Sequence, residues 1–100
     1  MRLTEGITVM ATPPTLHPQP AQMSGTVQYH NGYAFLLTPN NQYVLLQFDS
    51  PFTGVLDLTR AAQTATVLMK SYPPNSPATF NGILMMHNVN GQNRPVLHLC

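Results

Sequence analysis

The chain is poor in charge. Asp, Glu, Lys and Arg make up 7% of its 100 residues, against about a quarter in an ordinary soluble domain. Four Lys/Arg against three Asp/Glu leave a net charge of +1, too little to steer nucleic acid or an acidic substrate from a distance. A surface so thinly charged also does little to resist self-association. Cysteine occurs once, at Cys100, so no internal disulfide can staple the fold as in small secreted domains, and its setting matches no lipidation box. No apolar run approaches a membrane span. The opening stretch MRLTEGITVMATPP breaks with charge and threonine the apolar run that a signal peptide needs. These absences leave the cytoplasm as the default compartment, with no membrane association expected.

Catalytic motifs are missing as well. The glycines stand at 6, 25, 32, 54, 82 and 91, with no G-x-G and no G-K-[ST] phosphate loop. C-x-x-C, H-E-x-x-H and G-x-S-x-G do not occur. Of the acids, Glu5 lies near the start, and Asp49 and Asp57 lack the pattern of a paired-carboxylate site. Asp49-Ser50 reads as the end of a strand and the start of a turn or cap. Met85, Met86, His87, His98 and Cys100 supply thioether, imidazole and thiol groups that would suit Cu(I). The ordinary reading weighs more: Met fills core gaps, a terminal Cys frays, and Met85 and Met86 point to opposite faces of a strand. His17 reads as a solvated residue of a connector, and His30 as the polar flank of a turn. The expectation is a noncatalytic protein without metal or cofactor.

What is present is β-forming sequence cut by proline. Hydrophobic residues are 43% of the chain, enough for one modest core. Ten prolines exclude long helices almost everywhere. PPTLHPQP (13–20) reads as an extended connector and SYPPNSPA (71–78) as an irregular loop. Between them lie strand-like runs at 7–11, 24–30, 33–38, 43–48, 64–70, 82–89 and 95–99. This divides the chain into an N-terminal strand and Pro-rich connector over 1–23 and a β-domain over 24–100. Residues 50–63 are ambiguous. Ser50 could cap a helix with Pro51 in its first turn, whereas Thr53, Gly54 and Val55 oppose one, and Leu56 and Leu58 alternate as in a strand. A short helix or turn at about 56–63 is preferred.

Asn31-Gly32 is the most informative pair of residues, because a type I′ hairpin turn requires positive φ at both central positions. A two-residue loop pairs His30 with Tyr33, Tyr29 with Ala34, Gln28 with Phe35 and Val27 with Leu36. TPNNQ (38–42) then turns the chain into the run 43–48. Asn90-Gly91 predicts a second hairpin joining 82–89 to 94–99, with Pro95 confining that last strand to an edge. The simplest arrangement sends Val27, Ala34, Leu36, Val44, Leu46 and Phe48 inward. Thr26, Gln28, His30, Tyr33, Phe35, Tyr43, Leu45 and Gln47 then face outward, polar at the margins and aromatic at the centre. Rings on an outer face need a cover or a ligand. The chain itself, through 7–10 or the Met-rich strand, is the first candidate, ahead of a subunit interface or a ligand.

SGTVQYHNGYAFLLTPNNQYVLLQF (24–48) resembles the first three strands of a bacterial OB-fold barrel: a Gly-x-Val strand, a Gly-containing hairpin, and two further strands ending in an apolar pair. On this resemblance SPFTGVLDLTRAAQ occupies the place of the OB helix, TATVLMKSY is strand four and FNGILMMHNV strand five, so that it covers about residues 24–89. It implies an all-β domain, a small five-stranded OB-like barrel with a short helix or turn between strands three and four. Binding would use the face of strands two and three and the flanking loops. OB domains that hold single-stranded nucleic acid stack bases on such rings and clamp phosphates with Lys/Arg. Here Arg60 and Lys70 are the only basic residues in that segment. The expected function is therefore a binding or assembly module acting through Gln28, His30, Tyr33, Phe35, Tyr43, Gln47 and Lys70. Its partner would be another protein or a second copy in a homo-oligomer, with single-stranded nucleic acid as the alternative.

Overall fold

The computed structural model describes residues 18–100. The expected strand at 7–11 and most of the Pro-rich connector lie outside them. Five strands and one helix follow in order: β1 (Gln19–His30), β2 (Tyr33–Leu37), β3 (Tyr43–Phe48), α1 (Leu58–Met69), β4 (Pro77–Val89) and β5 (Gln92–Leu99). β1 begins five residues before the expected boundary at 24, so Pro20 is strand rather than connector.

The strands hydrogen-bond in the order β1-β2-β3-β5-β4, and β4 pairs back to β1, so the sheet is a barrel-like ring. All neighbours are antiparallel except β3 and β5, which run parallel. A parallel pair needs a long crossover, and α1 with β4 supplies it. Closing the ring also leaves few free strand edges in a chain with little charge to protect them.

The hairpin register is as the turn dictates. His30 pairs with Tyr33, Tyr29 with Ala34, Gln28 with Phe35 and Val27 with Leu36. Asn31 and Gly32 have φ of 55° and 85°, and Asn90 and Gly91 have 54° and 81°, so both Asn-Gly pairs adopt the left-handed conformation of a type I′ turn. Gly25 serves a different need. β1 pairs with β4 up to Thr26 and with β2 from Thr26 onward, and a side chain at Gly25 would run into the backbone carbonyl of Leu37. Only glycine lets the strand pass that close.

The core is built from Val27, Ala34, Leu36, Val44, Leu46, Leu97 and Leu99, all buried, with Ala65 and Leu68 of α1 packed on it. Five of the six residues expected inward are fully buried. The exception is Phe48, 38% exposed, the last residue of β3. Its neighbour Gln47, expected outward, is fully buried. Its Nε2 donates to the Val55 carbonyl at 2.8 Å and its Oε1 accepts from the Asp57 N–H at 3.0 Å. The outer side of β3 is thus roofed at that point by residues 50–57.

The ambiguous segment resolves differently from the expectation. The run 64–70, which reads as a strand, is helical: 64–69 form the second half of α1 and Lys70 is its C-cap. Ala61, Thr64, Ala65 and Leu68 are its buried residues, a spacing of three and four that puts them on one helical face. The cap is Asp57, whose side chain accepts from the Arg60 N–H at 3.1 Å, and not Ser50. The fourth strand is consequently Pro77–Val89, longer and later than expected, and the fifth is Gln92–Leu99. Pro95 does not make β5 an edge strand. Residues 92–95 pair with β4 alone and β3 joins only at Val96, so the missing N–H falls where one side of the strand is free. Among the described residues no helix is long and apolar enough to cross a membrane.

Candidate functional site

The outer face of β1–β3 holds a cluster of three rings. His30 lies 5.8 Å from Phe35 and 5.5 Å from Tyr43, and Phe35 lies 6.2 Å from Tyr43, between ring centroids. The contacts to Tyr43 are edge-on, at 79° and 87°, the arrangement aromatic quadrupoles prefer. Strand alternation sends His30 and Phe35 to one face of the hairpin, and the pairing of Phe35 with Leu45 carries that face onto β3. Tyr43 is 47% exposed, His30 is exposed and Phe35 half-buried. None of the residues of β1, β2 or β3 is charged.

The other expected binding residues divide. Gln28 joins the margin of the face, its Nε2 donating to Thr26 Oγ1 at 3.0 Å and to Asn75 Oδ1 at 2.8 Å. Tyr33 turns toward the helix and lines a shallow cleft with Leu58, Thr59, Ala62 and Gln63. Lys70 belongs to the C-cap of α1 rather than to the strands that carry the rings. Gln47 is enclosed and reaches no surface, because its amide satisfies the backbone of the covering segment.

A second cluster lies at the neighbouring ends of β3 and β5. Asp49 and His98 are both fully buried, and His98 Nδ1 stands 2.9 Å from Asp49 Oδ2. His87 Nε2 in turn stands 2.9 Å from His98 Nε2. An ionised carboxylate only accepts, which fixes the proton of a neutral His98 on Nδ1 and leaves its Nε2 bare. His87 must then donate through its own Nε2–H, leaving its Nδ1 bare. Asp49 also accepts from the Thr53 N–H at 3.1 Å, the Thr53 hydroxyl at 2.9 Å, the Gly54 N–H at 3.1 Å and Arg60 at 3.1 Å. Phe52 closes the top, edge-on to His98 at 5.5 Å between centroids.

The electrostatics follow from these partners. Burial pushes the Asp49 carboxyl upward, but the Gly54 N–H, the Thr53 hydroxyl and N–H, and His98 together hold it below its ordinary value. Burial pushes His98 down, against the opposing pull of Asp49's charge and hydrogen bond. Burial and the neighbouring His98 also lower His87. The cluster at neutral pH is therefore a carboxylate and two neutral imidazoles.

The sequence offers Met85, Met86, His87, His98 and Cys100 as soft-metal candidates. The structure brings the two imidazoles together, whereas Cys100 is exposed and its thiol reaches only the His98 carbonyl, at 3.9 Å. Among the described residues no group of three or more His, Cys, Asp or Glu side chains is arranged to hold a metal ion. The signal that completes the cluster is Asp49, which stands 49 positions from His98 and on sequence reads as a turn residue. Known protein families, curated proteins and solved structures provide no significant match to this chain.

Proposed function

We propose that the chain is an OB-type barrel that acts as a noncatalytic binding and assembly module, docking a protein surface or a second copy of itself through the face of β1–β3. What supports the OB reading is connectivity: a ring closed in the order β1-β2-β3-β5-β4, with β3 parallel to β5 and a helix between β3 and β4. The observation that carries the function is the His30–Phe35–Tyr43 cluster, open to solvent on uncharged strands. Aromatic enrichment with depletion of charge is the composition of an interface core. Tyr43 also packs edge-on against both His30 and Phe35, so the three rings form one cluster.

Single-stranded nucleic acid is the second reading, because an OB barrel binds it on this same face, by stacking bases on exposed rings. Charge argues against it. Arg60 is engaged with Asp49, and few cations remain to neutralise phosphates. The particle mass in solution, measured by light scattering across a concentration series, tests the lead reading for self-association, and Tyr43→Ala should convert the oligomer to monomers. A monomer at every concentration that binds a labelled single-stranded oligonucleotide at low salt, and loses it in Tyr43→Ala, would replace the lead reading by the second.

A further inference from the structure

We propose that Asp49, His98 and His87 form a proton-operated latch, which holds the segment 49–57 over the outer side of β3 and β5 and releases it when the imidazole pair takes up a second proton. Among the described residues the segment has few other hydrogen-bonded fastenings to the ring. Asp49 gathers the Thr53 and Gly54 N–H groups, Gln47 holds Val55 and Asp57, and Phe52 rests edge-on against His98. Thr53, Val55 and Phe52 themselves are exposed. Asp49 is the knot of this loop, and His98 ties the knot to β5.

Proton counting gives the switch its threshold. In the neutral state one hydrogen lies between Asp49 and His98, and one between His98 and His87. A first added proton goes to the bare Nδ1 of His87, whose ring is only half-buried. Both hydrogen bonds survive, and the one from His87 becomes charge-assisted. A second proton has only two places to go. On His98 Nε2 it would set two N–H groups head-on across 2.9 Å. On Asp49 it would remove the charge that gathers Thr53, Gly54 and Arg60. Either way the buried chain breaks, and a broken buried network costs more than an exposed one.

The charges facing the cluster come from each element around it. Arg60 of α1 lies on Asp49 and favours the carboxylate. Arg94 of β5 pairs with His87 in the ladder and turns its guanidinium to the Gln92 side chain. Asp57 sits at the far end of the covering segment as the helix cap, and the Cys100 thiol touches only the His98 carbonyl. The release therefore belongs to acidic solution, below the ordinary imidazole range of about 6.5.

Amide hydrogen exchange on the full chain, followed with imidazole nitrogen shifts from about pH 8 to about pH 4, tests this. Expected are a His98 protonated on Nδ1 at neutral pH, and a drop of about tenfold or more in the protection factors of Thr53 and Gly54 on acidification, while Leu36 and Val44 stay protected. In His87→Ala the Nε2 of His98 meets no opposing N–H, so loop protection should persist to lower pH. The proposal is overturned if Thr53 and Gly54 keep their protection throughout, lose it only together with Leu36 and Val44, or behave identically in His87→Ala. Should that variant not fold, the wild-type shifts decide alone, since a proton on His98 Nε2 in neutral solution contradicts the chain.

Discussion

Asp49 and His98 meet at 2.9 Å, both without solvent contact, at the neighbouring ends of the parallel strands β3 and β5. The backbone adds to the bond, because the Asp49 N–H donates to the Leu99 carbonyl at 2.8 Å. A buried carboxylate is tolerable only when its lone pairs are taken up, and here two backbone N–H groups, a hydroxyl, a guanidinium and an imidazole do so. Asp49→Asn keeps the shape but removes the charge and offers an N–H where donors converge. A loss of about 3 kcal/mol is expected in denaturant unfolding, with the slope unchanged. A change below about 1 kcal/mol would mean that the cluster is ornamental to stability.

The same groups set the pH dependence of the whole fold. His98 and His87 have lowered affinity for protons in the folded chain, so the unfolded chain takes them up first and stability falls as pH drops below the ordinary imidazole value of about 6.5. Asp49 is also lowered, and its contribution is present above the ordinary carboxylate value of about 3.9 and fades as pH falls below it. Both act in one direction. The urea midpoint should therefore decline steadily on the acid side of neutrality and steepen at the low end. A midpoint level between about pH 7 and pH 4 would contradict the assignment of two neutral imidazoles.

Local chemistry made part of this architecture legible. Asn31-Gly32 sufficed for the β1–β2 register, since a two-residue turn leaves one pairing, and alternation then named Val27, Ala34, Leu36, Val44 and Leu46 as core. Residues 64–70 misled because TATVLM is β-branched at Thr64, Thr66 and Val67. Their helicity comes from packing Ala61, Ala65 and Leu68 on one face and from a cap seven residues upstream of Thr64 at Asp57, and tertiary burial overrides propensity. Gln47 and Asp49 were unreadable for another reason. Their roles depend on the segment that folds back over them, and a strand's alternation says which side a residue faces but not whether that side is covered.

Two glycines should respond to alanine very differently. At Gly25 an added methyl meets the backbone of Leu37 and Thr38, which cannot move without opening the β1–β2 ladder. Gly25→Ala is expected to cost about 3 kcal/mol or more. At Gly32 the methyl meets nothing within 4 Å, and only the φ of +85° is unfavourable. Gly32→Ala should cost about 1 kcal/mol. Equal losses in thermal unfolding would show that the close crossing at Gly25 is not what shapes β1.

Thr64 shows how α1 is fastened to the ring, and its replacement separates shape from hydrogen bonding. Its hydroxyl, in a side chain that is 1% exposed, accepts from the Phe48 N–H at 2.8 Å and donates to the Arg60 carbonyl at 2.8 Å. The first bond satisfies the last N–H of β3. Thr64→Val preserves volume and branching but strands that N–H in the interior, a loss of about 1–3 kcal/mol. Thr64→Ser removes a methyl and keeps the bond, so it should be the milder change despite its smaller size. If Thr64→Val unfolds at the higher denaturant concentration of the two, methyl packing rather than the hydroxyl joins α1 to β3, because a buried residue whose hydrogen bond is dispensable is held by contact area alone.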